Sequence, residues 1–334
     1  MKILVTGGAG YIGSHCCVEL LEAGHQIVCI DNLCNASIDP IENIQKITKQ
    51  TLTFYNHDIC DYNTLYQILV KEKIEACIHF AGLKSIAESI KQPEEYYRVN
   101  VVGTYHLYKA MSKANIRHLI YSSSATVYGE GGNNAFHENS VPALPTTPYG
   151  KTKYFVEQML QDFYAANPSW SISFLRYFNP VGAHPSCMIG EKSTNKSNNL
   201  MPCILNAIAG ERKPLTIYGD DYPTRDGTCV RDYIHVQDLA KGHTAALEKT
   251  KAKPGLNIYN FGRGEGITVK ELVTTFEQTN KVHVPYVIGP RRQGDVHSCY
   301  ADTSKANREL NWKASLGIKE MVRDAWAWHK KLPL

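Results

Sequence analysis

The sequence predicts an α/β fold, a doubly wound parallel sheet joined to a smaller C-terminal α/β domain. Three observations carry this. Short β-branched runs alternate with longer helical patterns through the first half, as stacked βαβ units require. A glycine-rich turn lies between the first such run and the first helical pattern. After about Asn179 the rhythm changes to shorter elements separated by long polar stretches, which sets a soft boundary near residue 180. Residues 1–180 are expected to form the larger unit and 181–334 the smaller, with some later segments free to return to the first.

The strands expected in order are Lys2–Thr6, Gln26–Ile30, Leu52–Asn56, Ala76–Phe80, His118–Ser122 and Ile172–Tyr177. Helical periodicity falls between them at Tyr11–Ala23, Asp61–Lys73, Glu94–Ala114 and Tyr149–Ala165, and in the last Phe155, Met159 and Phe163 share one face. Beyond the boundary, residues 191–199 and 219–227 read as polar loops, functional or disordered. A helix is expected near Val236–Lys249, a strand near Asn257–Phe261, a helix opened by the capping box Thr268-Val269-Lys270-Glu271, and a closing helix over Leu316–Lys330. Neither an internal repeat nor a low-complexity tract is evident.

Composition excludes whole classes. The chain has 334 residues, 43% apolar and 20% charged, so it can bury a sizeable core and is neither a disordered chain nor a disulfide-stapled miniprotein. Lys and Arg number 36 against 32 Asp and Glu, a formal +4 without a clustered run, which does not suggest nucleic-acid binding and fits an anionic small ligand. Ten cysteines show no C-x-x-C spacing, and most sit in apolar runs as small buried thiols. With neither a secretory leader nor a stretch approaching a membrane span, a cytoplasmic, reduced setting without membrane association is expected.

Thr6-Gly7-Gly8-Ala9-Gly10-Tyr11-Ile12-Gly13 joins the first strand to the first helix. Such glycines also make a plain tight turn. Here the strand-before, helix-after context points to a pyrophosphate held by backbone N–H groups and the helix N-terminus. The second strand ends at Asp31, a carboxylate able to accept ribose hydroxyls, and no Arg or Lys lies between Asp31 and Ser37 to receive a 2′-phosphate. That favours NAD over NADP.

Tyr149 and Lys153 stand at i and i+4 on the first turn of a helix, after Pro148. A cation beside the phenol would favour phenolate, and such a tyrosine can act as a base on a sugar hydroxyl. Tyr105 and Lys109 repeat the spacing and read as an ordinary helix face. What separates the first pair is Ser122-Ser123-Ser124 at the carboxyl end of the fifth strand, where ligands of open parallel sheets bind. A serine-rich strand end could also simply cap a turn.

These residues resemble the extended short-chain dehydrogenase/reductases, which have a Rossmann fold, and among them the UDP-glucose 4-epimerase family. The likeness runs through Val5–Gly8, Gly13–His15, Asp31–Asn35, His79–Lys84, Ser122–Gly129, Leu175–Pro185, Asn198–Pro202, Val230–Val236 and Arg291–Asp295. It implies Tyr149 as the base on the 4′-hydroxyl, Ser124 as the hydrogen-bond partner of that oxygen, and Lys153 as the cation that lowers the tyrosine pKa and holds the nicotinamide ribose. The implied NAD-contacting positions are Gly7, Gly10, Tyr11, Ile12, Gly13, Asp31, Asn32, Asn35, Asp58, Ile59, Phe80, Ala81, Gly82, Lys84 and Phe178, with Tyr149 and Lys153. The implied UDP-sugar positions are Ser124, Asn179, Asn199, Leu200, Thr216, Tyr218, Arg231, Arg292, Asp295 and Cys299. The two arginines suit a diphosphate. No metal is expected.

Related dehydratases carry an acidic pair after the strand-end serine or threonine, whereas Ala125 and Thr126 stand here, leaving hydride removal and return. Two departures matter. Cys229 replaces a common glycine ahead of Arg231, and Cys299 stands where members restricted to UDP-glucose and UDP-galactose carry Tyr. The second implies room for an N-acetyl group, hence UDP-GlcNAc and UDP-GalNAc as additional substrates. An epimerase restricted to the unsubstituted pair, an NAD-dependent sugar-nucleotide dehydrogenase and a non-catalytic NAD-binding regulator are the alternatives. The resemblance also implies a homodimer built on the helices near Glu94–Ala114 and Tyr149–Ala165.

Overall fold

The computed structural model describes residues 1–129, 135–140, 144–192, 199–210, 214–252, 254–292 and 296–332. The first half runs β1 (Lys2–Thr6), α1 (Tyr11–Glu22), β2 (Gln26–Asp31), α2 (Asp39–Thr48), β3 (Thr53–Asn56), α3 (Tyr62–Lys71), β4 (Ala76–His79), α4 (Ile86–Lys91), α5 (Pro93–Tyr96), α6 (Gly103–Lys113), β5 (His118–Ser124), α7 (Pro148–Ala166) and β6 (Ser171–Tyr177). The continuous helix expected over Glu94–Ala114 is instead α5 and α6 joined by a π-helical turn, Tyr97–Val102. β5 continues two residues past the expected end and carries Ser123 and Ser124 in register with Arg176 and Tyr177 of β6.

The second half comprises β7 (Asn179–Val181), α8 (Leu200–Ile208), β8 (Leu215–Tyr218), β9 (Val230–His235), α9 (Val236–Ala252), β10 (Gly255–Phe261), β11 (Gly266–Thr268), α10 (Val269–Asn280), β12 (Tyr286–Gly289), β13 (Ser298–Cys299), α11 (Ser304–Leu310) and α12 (Ile318–His329). Seven parallel strands form the large sheet in the order β10-β6-β5-β4-β1-β2-β3. The order reverses between β1 and β4, and at such a switch point the loops part to leave a crevice at the strands' carboxyl ends. Past residue 180 the chain builds a small sheet around β9, flanked by β7, β11 and β13, and the pair β12-β8. It then returns to the large sheet, since α9 packs on α1 and β10 pairs with β6.

Both faces of the large sheet are apolar, so it buries two cores. Val5, Cys17, Ile27, Leu239 and Phe261 meet on the side of α1 and α9, while Leu4, Leu65, Leu107, Leu160 and Trp170 meet on the side of α3, α6 and α7. A third cluster, including Ile204, Ile217, Phe276 and Met321, lies among α8, α10 and α12. The Thr268 hydroxyl accepts from the Glu271 N–H and the Glu271 carboxylate accepts from the Thr268 N–H, closing the capping box read from the sequence. The buried-thiol reading fits Cys16, Cys17, Cys29, Cys77 and Cys229. Cys34 is exposed, and Cys60, Cys187, Cys203 and Cys299 are half-buried; Cys203 lies within α8, and the others lie on loops or on the two-residue strand β13. Among the described residues no helix is long and apolar enough to cross a membrane, and no group of three or more His, Cys, Asp or Glu could hold a metal.

Candidate active site

The glycine turn is built for close approach. Gly7 has φ +73°, and a Cβ there would stand 2.7 Å from the Ala81 nitrogen, so β1 and the loop after β4 meet backbone to backbone. Helix α1 starts at Tyr11 with Gly10 as N-cap and no side-chain cap, which leaves its first N–H groups for an anion. At the carboxyl end of β2, the Asp31 carboxylate accepts from Ala9 N (3.1 Å) and Leu33 N (2.9 Å), and burial raises its pKa. Asn32 donates to Asp58 over 3.3 Å, and Asp58 also accepts from Cys60 N, so Asp31, Asn32, Asp58 and buried Ile59 make one continuous rim at the ends of β2 and β3. Asn35 and Lys84 are exposed at its edges.

Tyr149 and Ser124 meet. Thr147 caps α7 through its hydroxyl, Pro148 occupies the first turn, and the Tyr149 phenol then lies on the Ser124 side chain. Burial raises the Tyr149 pKa and the Ser124 hydroxyl pulls it back down. Ser124 Oγ also accepts from Thr126 N (3.2 Å) and lies 3.0 Å from Thr126 Oγ1. Lys153 does not reach the phenol oxygen. Its ammonium donates to the Ser122 carbonyl over 2.7 Å and sits over the Tyr121 ring, because the strand-end carbonyl offers a buried acceptor one turn along α7. Burial pushes Lys153 down to about 8.

Two residues absent from the sequence reading organise this region. Asn100, buried in the π-helical turn, accepts from Leu83 N (2.8 Å) and donates to Leu83 O (3.1 Å) and Thr152 Oγ1 (3.1 Å). It thereby ties the Ala81-Gly82 loop to α7. Its signal was an Asn inside a helical run, a poor helix former where nothing local requires one. Asp232, fully buried on β9, accepts backbone N–H bonds from Arg263, Gly264 and Ala301, and burial raises its pKa to about 6.

The remaining candidates lie on the small sheet, on the β12-β8 pair and on α8. Phe178 is buried between the sheets, and Asn179 donates to Asp232 O over 3.0 Å. Arg231 is fixed on the Val230 and Val296 carbonyls at 2.8 and 2.9 Å, and β13 sets Cys299 opposite it. Cys299 packs with the cluster of Ala125, Phe136, Phe178 and Ala301, next to the turn that follows Ser124. Thr216 and Tyr218 lie on β8, and the Arg292 guanidinium covers the Tyr218 ring at 4.0 Å. Glu191 accepts from Lys84 (3.0 Å) and Asn199 (3.2 Å), and the Tyr11 hydroxyl donates to Gly182 O (2.7 Å), so the loop after β4 and the start of α1 are tied to the segment that follows β7. Leu200 opens α8. Asp295 lies outside the described residues.

A family model described as GDP-mannose 4,6 dehydratase matches residues 4–325. The UDP-glucose 4-epimerase of Bacillus subtilis is 48% identical over 328 residues, covering 98% of this chain and 96% of its own. The chain belongs to the UDP-glucose 4-epimerase family. Among solved structures, the UDP-glucose 4-epimerase of Stenotrophomonas maltophila, with bound NAD and formylated UDP-arabinopyranose, superposes with TM-score 0.97 at 46% identity over 99% of this chain and 98% of that one. The UDP-Glc/GlcNAc 4-epimerase of Campylobacter jejuni gives TM-score 0.87 at 35% identity over 99% of both chains. The dehydratase description of the family model does not extend to the local chemistry. The turn after Ser124 reads Ala125-Thr126-Val127-Tyr128 and has no carboxylate.

Proposed function

We propose that this member of the UDP-glucose 4-epimerase family is an NAD-dependent enzyme that interconverts UDP-glucose and UDP-galactose, and also UDP-GlcNAc and UDP-GalNAc. The meeting of Tyr149 with Ser124, one helical turn from buried Lys153, carries the reading.

The residues fit the cofactor. The Gly7 cradle has no room for a Cβ, α1 opens without a side-chain cap, and no Arg or Lys stands between Asp31 at the end of β2 and Ser37 to welcome a 2′-phosphate. A bound NAD supplies the hydride acceptor and, within the same turnover, the donor. Tyr149 takes the proton of the 4′-hydroxyl and returns it, while the Ser124 hydroxyl holds that oxygen during the change of geometry at carbon. Lys153, held on the Ser122 carbonyl one helical turn along, supplies positive charge to the site and a donor toward the nicotinamide ribose. Arg231 and Arg292 suit the diphosphate, and Asn179, Asn199, Leu200, Thr216, Tyr218 and Asp295 suit the uridine and its links. The 4-keto sugar presents either face to the hydride, so both epimers form.

Cys299 supports the wider substrate range, since a small side chain beside Ala125 and Phe178 leaves space at sugar carbon 2. The outward apolar residues Val102, Tyr105 and Phe155, near and on α6 and α7, support a homodimer on these helices. We assign the enzyme to the cytoplasm, the large sheet to NAD and the later elements to the UDP-sugar. Assaying purified protein with UDP-galactose and with UDP-GalNAc tests the range. Turnover of both is expected, and Cys299→Tyr should lose only the acetylated one. Turnover confined to UDP-galactose in the unmodified enzyme overturns the wider range.

A further inference from the structure

Helix α7 turns three side chains at successive i, i+4 positions toward the end of β5: Tyr149, Lys153 and Glu157. Three consecutive strand residues answer them. Tyr149 meets the Ser124 hydroxyl, Lys153 donates to the Ser122 carbonyl, and the Ser123 hydroxyl donates to the Glu157 carboxylate. The third contact has no part in the chemistry described above. Glu157 and Arg176 are 0% and 3% exposed, and Arg176 lies opposite Ser123 on β6. Its Nε and Nη2 donate to the two Glu157 oxygens over 3.0 and 2.6 Å, Nη1 donates to Glu138 O over 3.2 Å, and its guanidinium lies over the Tyr128 ring.

Stability alone does not explain this pair. Apolar side chains of similar volume commonly stabilise a core as well as a buried ion pair, because both charges must be stripped of water. The pair supplies two things that apolar packing cannot. Its donors come from two strands and its acceptor from the helix, so a forked, directional contact fixes the rotation of α7 against β5 and β6. A slip of one helical residue would swing Tyr149 by about 100° around the axis, away from Ser124. The pair also keeps a carboxylate one turn from the Lys153 ammonium.

We infer that Glu157 is a positioning residue of the site: clamped by Arg176 and Ser123, it holds Lys153 in its charged form and sets Tyr149 against Ser124. The inference rests on the roles proposed for Tyr149 and Lys153. Burial drives Lys153 toward neutrality and the Glu157 carboxylate opposes that drive. The other titratable groups around it are His79 on β4, held neutral by burial with a pKa of about 3, and the phenols of Tyr121 on β5, Tyr149 on α7 and Tyr177 on β6, whose pKa values burial raises. The π-helical turn contributes neutral Asn100. Among these groups Glu157 is the carboxylate, and removing it lets the ammonium lose its proton at lower pH.

The test uses the full chain with its cofactor and two variants. The double variant Glu157→Leu/Arg176→Met replaces the pair by apolar side chains, a change that cores commonly accept. Ser123→Ala removes one donor and spares the pair. For the double variant, kcat for UDP-galactose should fall by about 10- to 100-fold with KM within about threefold, the pattern of a misplaced catalytic group. The alkaline limb of its pH profile should move to lower pH by about one unit. Ser123→Ala should lower kcat about threefold in the same pattern. The Lys153 titration, followed by NMR of isotope-labelled lysine and assigned with Lys153→Met, should move down with the double variant, and this reading holds whether or not the protein turns over UDP-sugars. A folded double variant with unaltered kcat and an unmoved Lys153 titration overturns the inference. If the double variant does not fold, unaltered kcat in Ser123→Ala overturns it.

Discussion

Asn100 donates to the hydroxyl of Thr152 over 3.1 Å, and this bond joins a π-helical turn to the helix that carries Tyr149 and Lys153. The same side chain holds both backbone groups of Leu83. A π turn shifts the following residues relative to a regular helix, which aims Asn100 between the loop after β4 and α7. Asn100→Ala leaves a buried N–H, carbonyl and hydroxyl short of a partner. Unfolding by urea should show a loss of about 1–3 kcal/mol, and turnover should fall well beyond what lower stability explains.

Tyr149 is the reacting base in this account. Tyr149→Phe keeps the ring in its half-buried place and removes only the oxygen that meets Ser124. Turnover should drop by about 10²–10⁴-fold, the usual worth of a positioned acid–base group, while NAD stays bound. Steady-state kinetics beside cofactor absorbance of the purified variant check both halves. Undiminished turnover would remove Tyr149 from the mechanism.

Gly7 is a position of the proposed cofactor cradle that does not tolerate a side chain. With φ +73° and the Ala81 nitrogen 2.7 Å from the site of a Cβ, Gly7→Ala meets both backbone strain and a main-chain clash. The variant should lose about 1–3 kcal/mol of stability and bind NAD more weakly, as thermal unfolding and titration with NAD would report.

These elements differ in how far they could be read from the residues. The β1-glycine-α1 unit, Asp31 at the end of β2 and the capping box at Thr268 are local patterns, and each forms as the spacing implies. Tyr149 and Ser124 were legible because both fall at element ends whose hydrophobic periods are clear. Asn100 was hidden, since a π turn has no composition of its own and Tyr97–Val102 reads as ordinary helix. The strands β7 and β13, three and two residues long, are held by pairing to β9 from distant parts of the chain, which no local period announces. The return of β10 to the large sheet is likewise a long-range pairing, and only the neighbouring β6 defines it. The mutual placement of Lys153 and Ser122 depends on a carbonyl, and main-chain groups leave no mark in sequence.

Acid stability follows from three buried histidines. Burial lowers His15 and His79 to about 3 and His243 to about 4, against an ordinary value of 6.5. The unfolded chain therefore binds more protons than the folded one between roughly pH 6.5 and those values, so stability must fall as pH falls through that window and be fully present above it. Asp232, raised by burial to about 6, and Glu19, raised to about 7, act in the opposite direction, so between pH 8 and pH 5.5 the net decline should be smaller than the about 4 kcal/mol the three rings give alone, at about 1.4 kcal/mol for each group and pH unit. Urea unfolding across that range should show the decline. Imidazole resonances of these three rings titrating near 6.5 in the folded protein would contradict the assignment.

In the proposed reaction hydride leaves and returns within one turnover while Tyr149 and Ser124 handle the proton. Purified enzyme incubated with excess UDP-galactose addresses it directly, with UDP-glucose measured beside the near-ultraviolet absorbance of reduced nicotinamide. UDP-glucose should accumulate to equilibrium over many turnovers without added NAD and without growth of that absorbance. Reduced nicotinamide rising in proportion to sugar consumed would make the protein a dehydrogenase and contradict that reaction.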